Sequence, residues 1–218
     1  MVSFVAIDPS ITSTGITALE VTESGKIKVL DIKTIRPNQK FKKVKEHETT
    51  NDLRLLKKIE AYEIFVWITE NLSAYKDAAF FVFENYSYAG TGHLADLGEM
   101  NGMFKMHIRR VLNKPIDVVA PTSVKKAIVG QGGPTTTKKM VQESLAKFIE
   151  NYDEIKWNNF DESDAVAVGV TYALQMGAIE DSDKIAAPVK KVKKSEPKKD
   201  TKTSGTNKRT ARTRSSDK

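Results

Sequence analysis

Residues 2–21 read VSFVAIDPSITSTGITALEV, and the fold turns on how they are read. The first seven, VSFVAID, are a short apolar run rich in β-branched and aromatic side chains, the composition of a buried strand. That run ends on Asp8. PSITSTG follows, a turn rich in Ser, Thr and Gly. GITALEV then alternates well enough for a second strand. KIKVLDIKTI, residues 26–35, reads as a third strand, joined through Glu23-Ser24-Gly25. The chain is therefore expected to open as a β-meander.

Further along, the period changes. Residues 49–75 place Leu53, Leu56, Ile59, Tyr62, Ile64, Phe65, Ile68 and Leu72 at helical spacing. AFFVF, residues 79–83, is another buried strand and runs into Glu84. After a loop at 85–91, residues 94–112 read as a helix and IDVV, 116–119, as a fifth strand. Pro121 starts a short helix at a position where proline is allowed. GQGGPTTT is a loop, KKMVQESLAKFIENY (138–152) a helix, and DESDAVAVGVTYA (161–173) opens the last helix. The order β-β-β-α-β-α-β-α-α-α predicts a mixed α/β sheet of five strands with helices on both faces.

The composition narrows the chemistry. The chain has 218 residues and no cysteine. Disulfides, thiolate zinc sites and cysteine nucleophiles are excluded. The start carries an Asp inside its short apolar run and no basic leader, which reads as no signal peptide, and no span approaches membrane length. An intracellular, cytoplasmic protein is expected. The net charge of +7 is uneven. Residues 184–218 hold 13 Lys and Arg against 3 Asp and Glu, and the preceding 183 hold 22 against 25. The expected organisation is one domain over 1–180 and a disordered Lys/Arg-rich tail over 181–218, too poor in large apolar residues to order itself. Such a tail suits a polyanion.

Two acids end or nearly end buried strands, Asp8 and Glu84. A carboxylate there is expensive unless paired or on a metal, and strand ends are where sites of α/β folds collect. Asp161 and Asp164 project from one face of a helix start. Each has a plainer reading. Asp8 before Pro9 fits an Asx-turn, and Glu84 fits an ion pair with a distant Lys. The Asp161/Asp164 pair taken alone reads better as an N-cap with its capping box. The joint pattern favours a shared cation, since neither strand supplies a Lys or Arg. All-oxygen ligands point to Mg²⁺, with Mn²⁺ as substitute. Two such ions roughly 3.5–4 Å apart are the usual apparatus for in-line phosphoryl displacement.

These motifs resemble the RuvC family of Holliday-junction resolvases, within the RNase H-like superfamily. AIDPSITSTG is similar to the family's strand-end Asp-Pro and small-residue turn. VFENYSYAG running into HLADLGEMNGMFKMHIRR is similar to its strand-end Glu and following helix. APTSVKKAIVGQGGPTTTKKMVQ is similar to its lysine-bearing segment, and DESDAVAVGVTYA to its closing Asp-x-x-Asp helix. The resemblance implies an RNase H-like fold with a five-stranded mixed sheet. It implies Asp8, Glu84, Asp161 and Asp164 as metal-binding catalytic acids, with two ions per site. Lys125, and Lys138 or Lys139, would contact DNA, the choice left open because the loop before them is longer than the family's usual form. It implies a homodimer that nicks a four-way junction symmetrically, leaving 5′-phosphate and 3′-hydroxyl ends. No nucleotide cofactor is expected. The basic tail looks more like a viral or phage-type member, with a substrate range extending to other branched DNA.

The folded part is net acidic, so DNA must be held locally. The candidates are Lys125, Lys126, Lys138, Lys139 and backbone N–H groups around Gly130 and Gly132, where glycine lets a backbone approach phosphate. An ordinary flexible loop explains GQGG equally well. Tyr86 and Tyr88 suit base stacking or strand-edge packing. Over 94–112, Leu94, Leu97, Met100, Gly102, Met103, Phe104 and Ile108 form a wide apolar face, for the core or a dimer interface. His47, His93 and His107 are read as surface residues. Two other classes stay open: an actin-like or sugar-kinase-like ATPase, whose first motif shares the strand-end Asp and Ser/Thr/Gly turn, and a catalytically inactive junction-binding protein.

Overall fold

The computed structural model describes residues 1–37, 50–85, 94–131 and 135–180. Five strands form one sheet: β1 (Val2–Asp8), β2 (Thr14–Val21), β3 (Ile27–Ile35), β4 (Phe81–Glu84) and β5 (Ile116–Val119), in the order β3-β2-β1-β4-β5. The first three pair antiparallel, while β4 joins β1 and β5 joins β4 in parallel. The sheet is the expected mixed one.

The helices are α1 (Thr50–Asn71), α2 (Ser73–Lys76), α3 (Leu94–Arg110), α4 (Pro121–Val129), α5 (Lys138–Ser144) and α6 (Phe160–Gln175). Alternation along β1 feeds two cores. Phe4 and Ala6 pack with Val124, Ile128, Val141 and Val166 of α4, α5 and α6. Val5 and Ile7 pack with Ala61, Phe65, Met100 and Phe104 of α1 and α3. The period-2 strand thus sits between two helical layers. Phe65 stacks on Phe104 at 4.3 Å, an arrangement worth about 0.5–1.5 kcal/mol beyond area burial. The buried Lys58 adds a polar tie between α1 and α3, through Asp96 at 3.0 Å and Glu99.

Three expectations change. The helix read over 138–152 stops at Ser144, followed by 3-10 turns at Leu145–Lys147 and Tyr152–Glu154. The competitor is β3: Ile27 N donates to Phe148 O at 2.9 Å and Glu150 N to Ile27 O at 2.8 Å. These bonds bury Phe148 and Ile149 at the sheet edge and take the backbone groups a helix would need. The helix read over 49–75 breaks at Leu72, which is extended at φ −96° and ψ 119°. The new turn carries Tyr75 into the core, where it is fully buried. His107 is buried, not on the surface. It lies on the α3 face against α1, with Nε2 3.3 Å from Thr69 Oγ1 and 3.6 Å from Glu70 Oε1. Burial pulls its pKa below the ordinary histidine value, against the charge of Glu70. His47 and His93 lie outside the described residues. No helix among the described residues is long and apolar enough to cross a membrane.

Candidate active site

The parallel register of β1 and β4 places the first two acids. Ile7 lies opposite Phe83, so Asp8 and Glu84, one residue on in each strand, emerge side by side. The other two acids come from the start of α6. The cap there is Asn159, whose Oδ1 accepts from Asp161 N at 2.9 Å and Glu162 N at 3.2 Å. Asn159 thereby satisfies two of the helix's free N–H groups. Asp161 and Asp164 are not the capping pair, and their carboxylates are available for other work. Gly15, paired with Asp8 across the first hairpin, lets the helix come close. A Cβ at Gly15 would lie 2.0 Å from Asp161 O.

Asp8, Glu84 and Asp164 line one cavity of about 220 Å³, together with Pro121, Val124, Lys125, Lys138 and Val141. Asp161 does not line it. It is joined to it by Lys138, whose Nζ lies 2.7 Å from Asp164 Oδ2 and 3.6 Å from Asp161 Oδ1. Its other oxygen, Oδ2, accepts from Ser13 Oγ at 2.5 Å.

The electrostatics follow from burial. Asp8 is pushed well above the usual carboxylate range, first by burial and then by the charge of Glu84 and the hydrogen bond with it. Burial also raises Glu84, opposed by its hydrogen bond to Asp8 and by Lys125 and Lys138. Like charges side by side in a low dielectric oppose one another's ionisation. Asp164 is raised by burial, against the hydrogen bond and charge of Lys138. For Lys138 burial acts downward, but its bond to Asp164 and the charges of Asp164, Asp161 and Asp8 prevail and raise it.

The remaining candidates separate. Lys125 lines the cavity, whereas Lys126 is exposed on the same helix and does not. Lys139 pairs with Glu143 on its own helix, at 3.7 Å, leaving Lys138 as the lysine at the acids. Gly130 is the left-handed C-cap of α4, at φ 79°, a conformation that by itself calls for glycine. Gly132, Tyr86, Tyr88 and residues 181–218 lie outside the described residues. Sequence reasoning missed Ser13, Arg36 and Glu162. Glu162 is buried and accepts from Asn158 N at 2.8 Å and Asn158 Nδ2 at 3.0 Å. A Ser within a Ser/Thr-rich turn and an Arg after a strand carry no local mark that sets them apart.

The donor set suits a hard divalent cation: half-buried carboxylates from three elements line one cavity, with a lysine paired to one of them. Among the described residues no group of three or more His, Cys, Asp or Glu side chains is placed to hold a metal ion. The fit is one of donor chemistry, with three of the acids lining one cavity.

The family model described as crossover junction endodeoxyribonuclease RuvC matches residues 4–172. A structure of Thermus thermophilus RuvC is 18% identical, covering 81% of this chain and 97% of that one, with a TM-score of 0.56. The T. thermophilus RuvC in complex with Holliday junction substrate is also 18% identical, over 82% of this chain and 98% of that one, at 0.58. The fowlpox virus Holliday junction resolvase is 11% identical over 80% and 99%, at 0.49. No curated protein sequence matches the chain.

Proposed function

Since this chain belongs to the RuvC family, we propose that it resolves four-way DNA junctions by metal-dependent hydrolysis, its acids being Asp8, Glu84, Asp161 and Asp164. One observation carries the reading. Asp8, Glu84 and Asp164, from three separate elements, line a single cavity with two lysines. Such a cluster is costly to fold around and is explained by chemistry at the site.

Asp8, Glu84 and Asp164, with Asp161 beside them, are the groups that would hold two Mg²⁺ or Mn²⁺ ions. When bound, such ions supply Lewis acidity for the attack of water and the departure of the 3′ oxygen. A bound cation would favour the charged forms of Asp8 and Glu84, which burial opposes. Lys138 exchanges Asp164 for a backbone phosphate, and Lys125 holds the same strand at the cavity wall. Lys126, Lys139 and the N–H of Gly132 extend the phosphate contacts, whereas the Gly130 N–H is already donated to Lys126 O at 3.0 Å, and Tyr86 and Tyr88 stack on splayed bases.

The reading includes a homodimer. Trp67, Met106 and Val111 are exposed on α1, on α3 and just past it, and Trp67 and Val111 line a hollow of about 440 Å³ with Tyr62, Val66 and His107, rimmed by Glu63, Glu70 and Asn71. This apolar surface supports a two-fold contact, and a two-fold dimer matches a junction of the same symmetry. The products carry 5′-phosphate and 3′-hydroxyl ends.

The test is cleavage of a labelled four-way junction with Mg²⁺ and with EDTA, mapping the cut on each strand. Paired nicks in Mg²⁺ alone are expected. Cleavage that requires ATP would favour the ATPase reading. Binding without cleavage in any divalent ion would favour an inactive junction binder.

A further inference from the structure

Asp161 is held from outside the acid cavity. Ser13 Oγ, in the turn between β1 and β2, donates to Asp161 Oδ2 at 2.5 Å. Arg36, just past β3, donates from Nε to the same Ser13 Oγ at 3.2 Å. Its Nη2 lies 3.9 Å from Asp161 Oδ2. The direction of these bonds is forced. An arginine N–H can only donate, so it takes a lone pair of the hydroxyl. An ionised carboxylate can only accept, so the hydroxyl proton points at Asp161. Oδ2 is committed to Ser13, and Oδ1 is the oxygen on the side of Lys138.

The backbone beneath this chain is also tied. Asn159 Nδ2 donates to Thr34 Oγ1 at 2.9 Å, linking the α6 cap to β3. Gly15 lets the α6 start rest on β2. Neither Ser13 nor Arg36 lines the acid cavity. Whatever they do for the site, they do through Asp161.

We propose that Ser13 and Arg36 are a positioning pair for Asp161, holding back one carboxylate oxygen and presenting the other to a divalent ion. The proposal rests on the reading of Asp161 as an ion-holding group. Partners of this kind orient ligands and typically change metal affinity by about 10–100-fold when removed.

The test is calorimetric titration of the full chain with Mn²⁺, for the wild type and for Ser13→Ala, Ser13→Thr and Arg36→Gln, with melting temperatures read in parallel. Ser13→Ala should weaken at least one Mn²⁺ site about 10-fold. Arg36→Gln should act in the same direction by less, and Ser13→Thr, which keeps the hydroxyl, should stay near wild type. In junction cleavage, Ser13→Ala should raise the Mg²⁺ needed for half-maximal rate, keep most of the rate at saturating ion, and leave junction affinity in Ca²⁺ unchanged. A folded Ser13→Ala protein that binds Mn²⁺ like the wild type overturns the proposal, as does a loss of rate with no change in ion requirement. A wild-type chain that binds Mn²⁺ but cuts no junction sinks the nuclease reading and leaves the pair standing on its binding shift. A wild-type chain that binds no Mn²⁺ sinks both.

Discussion

β1 begins among aromatic rings and ends among acids. At its start, Phe4 stacks on Phe80 at 5.1 Å, and Phe80 lies 5.5 Å from Tyr172 near the end of α6. A groove of about 480 Å³ runs there, lined by Met1, Val2, Phe4, Phe80, Tyr172 and Met176. At its other end, Asp8 meets Glu84 and the first turns of α6. The same strand and helix therefore build both ends. At the aromatic end, removal from water favours folding. At the acid end, the same removal opposes the charged form and pushes Asp8, Glu84 and Asp164 upward. One end supplies stability, and the other holds charge against it, as functional sites commonly do.

The largest test of this contrast is Asp8→Asn. Junction cleavage should fall about 10³-fold or more, a barrier increase of ~4 kcal/mol, while junction affinity in Ca²⁺ and the melting temperature hold or rise. Single-turnover kinetics and thermal unfolding measure the two sides. A melting temperature that drops would mean that the charged site stabilises the fold, and the contrast would break.

Phe80→Ala probes the other end. Loss of the stacked ring should cost about 2–4 kcal/mol in denaturant unfolding, with the cleavage rate per folded molecule unchanged. A comparable fall in cleavage would show that the two ends communicate along β1.

Gly15→Ala sharpens the boundary. A Cβ there meets Asp161 O at 2.0 Å, so the helix start must shift, at about 1–3 kcal/mol for overpacking. Cleavage should fall more than stability, because the acids of α6 move off the cavity.

The smallest effect is in pH. Asp8 and Glu84 bind their proton more tightly in the folded chain than in the unfolded one. The folded state then carries more protons between the ordinary carboxylate value and the raised one. Stability is greatest below that window and declines as pH rises through it. The slope should be on the order of one proton, or ~1.4 kcal/mol per pH unit, and Asp8→Asn should reduce it. A wild-type stability that climbs with pH across this range would contradict the raised carboxyls.

Much of this contrast is legible without coordinates. VSFVAID and AFFVFE mark buried strands that finish on carboxylates, because burial on both faces demands continuous apolar runs and the first polar residue marks the exit. Helical spacing marks α1 and a wide apolar face marks α3 for a similar reason, since a periodic apolar face has one way to be buried. Length was less legible. Nothing local in LAKFIENY says that Ile27 will take the backbone bonds of Phe148 and Glu150, and the helix was read eight residues too long.

The chain's own order of residues settled which elements exist and which acids end them, because those choices depend on neighbours a few positions away. Contacts across the sheet settled the rest. They set Lys138 rather than Lys139 at the acids. They gave the α6 cap to Asn159, and buried His107 against α1. They also brought Ser13 and Arg36 to Asp161 across 148 and 125 residues of chain. Each is a competition between partners distant in sequence, decided by which groups the packed layers bring within a hydrogen bond's reach.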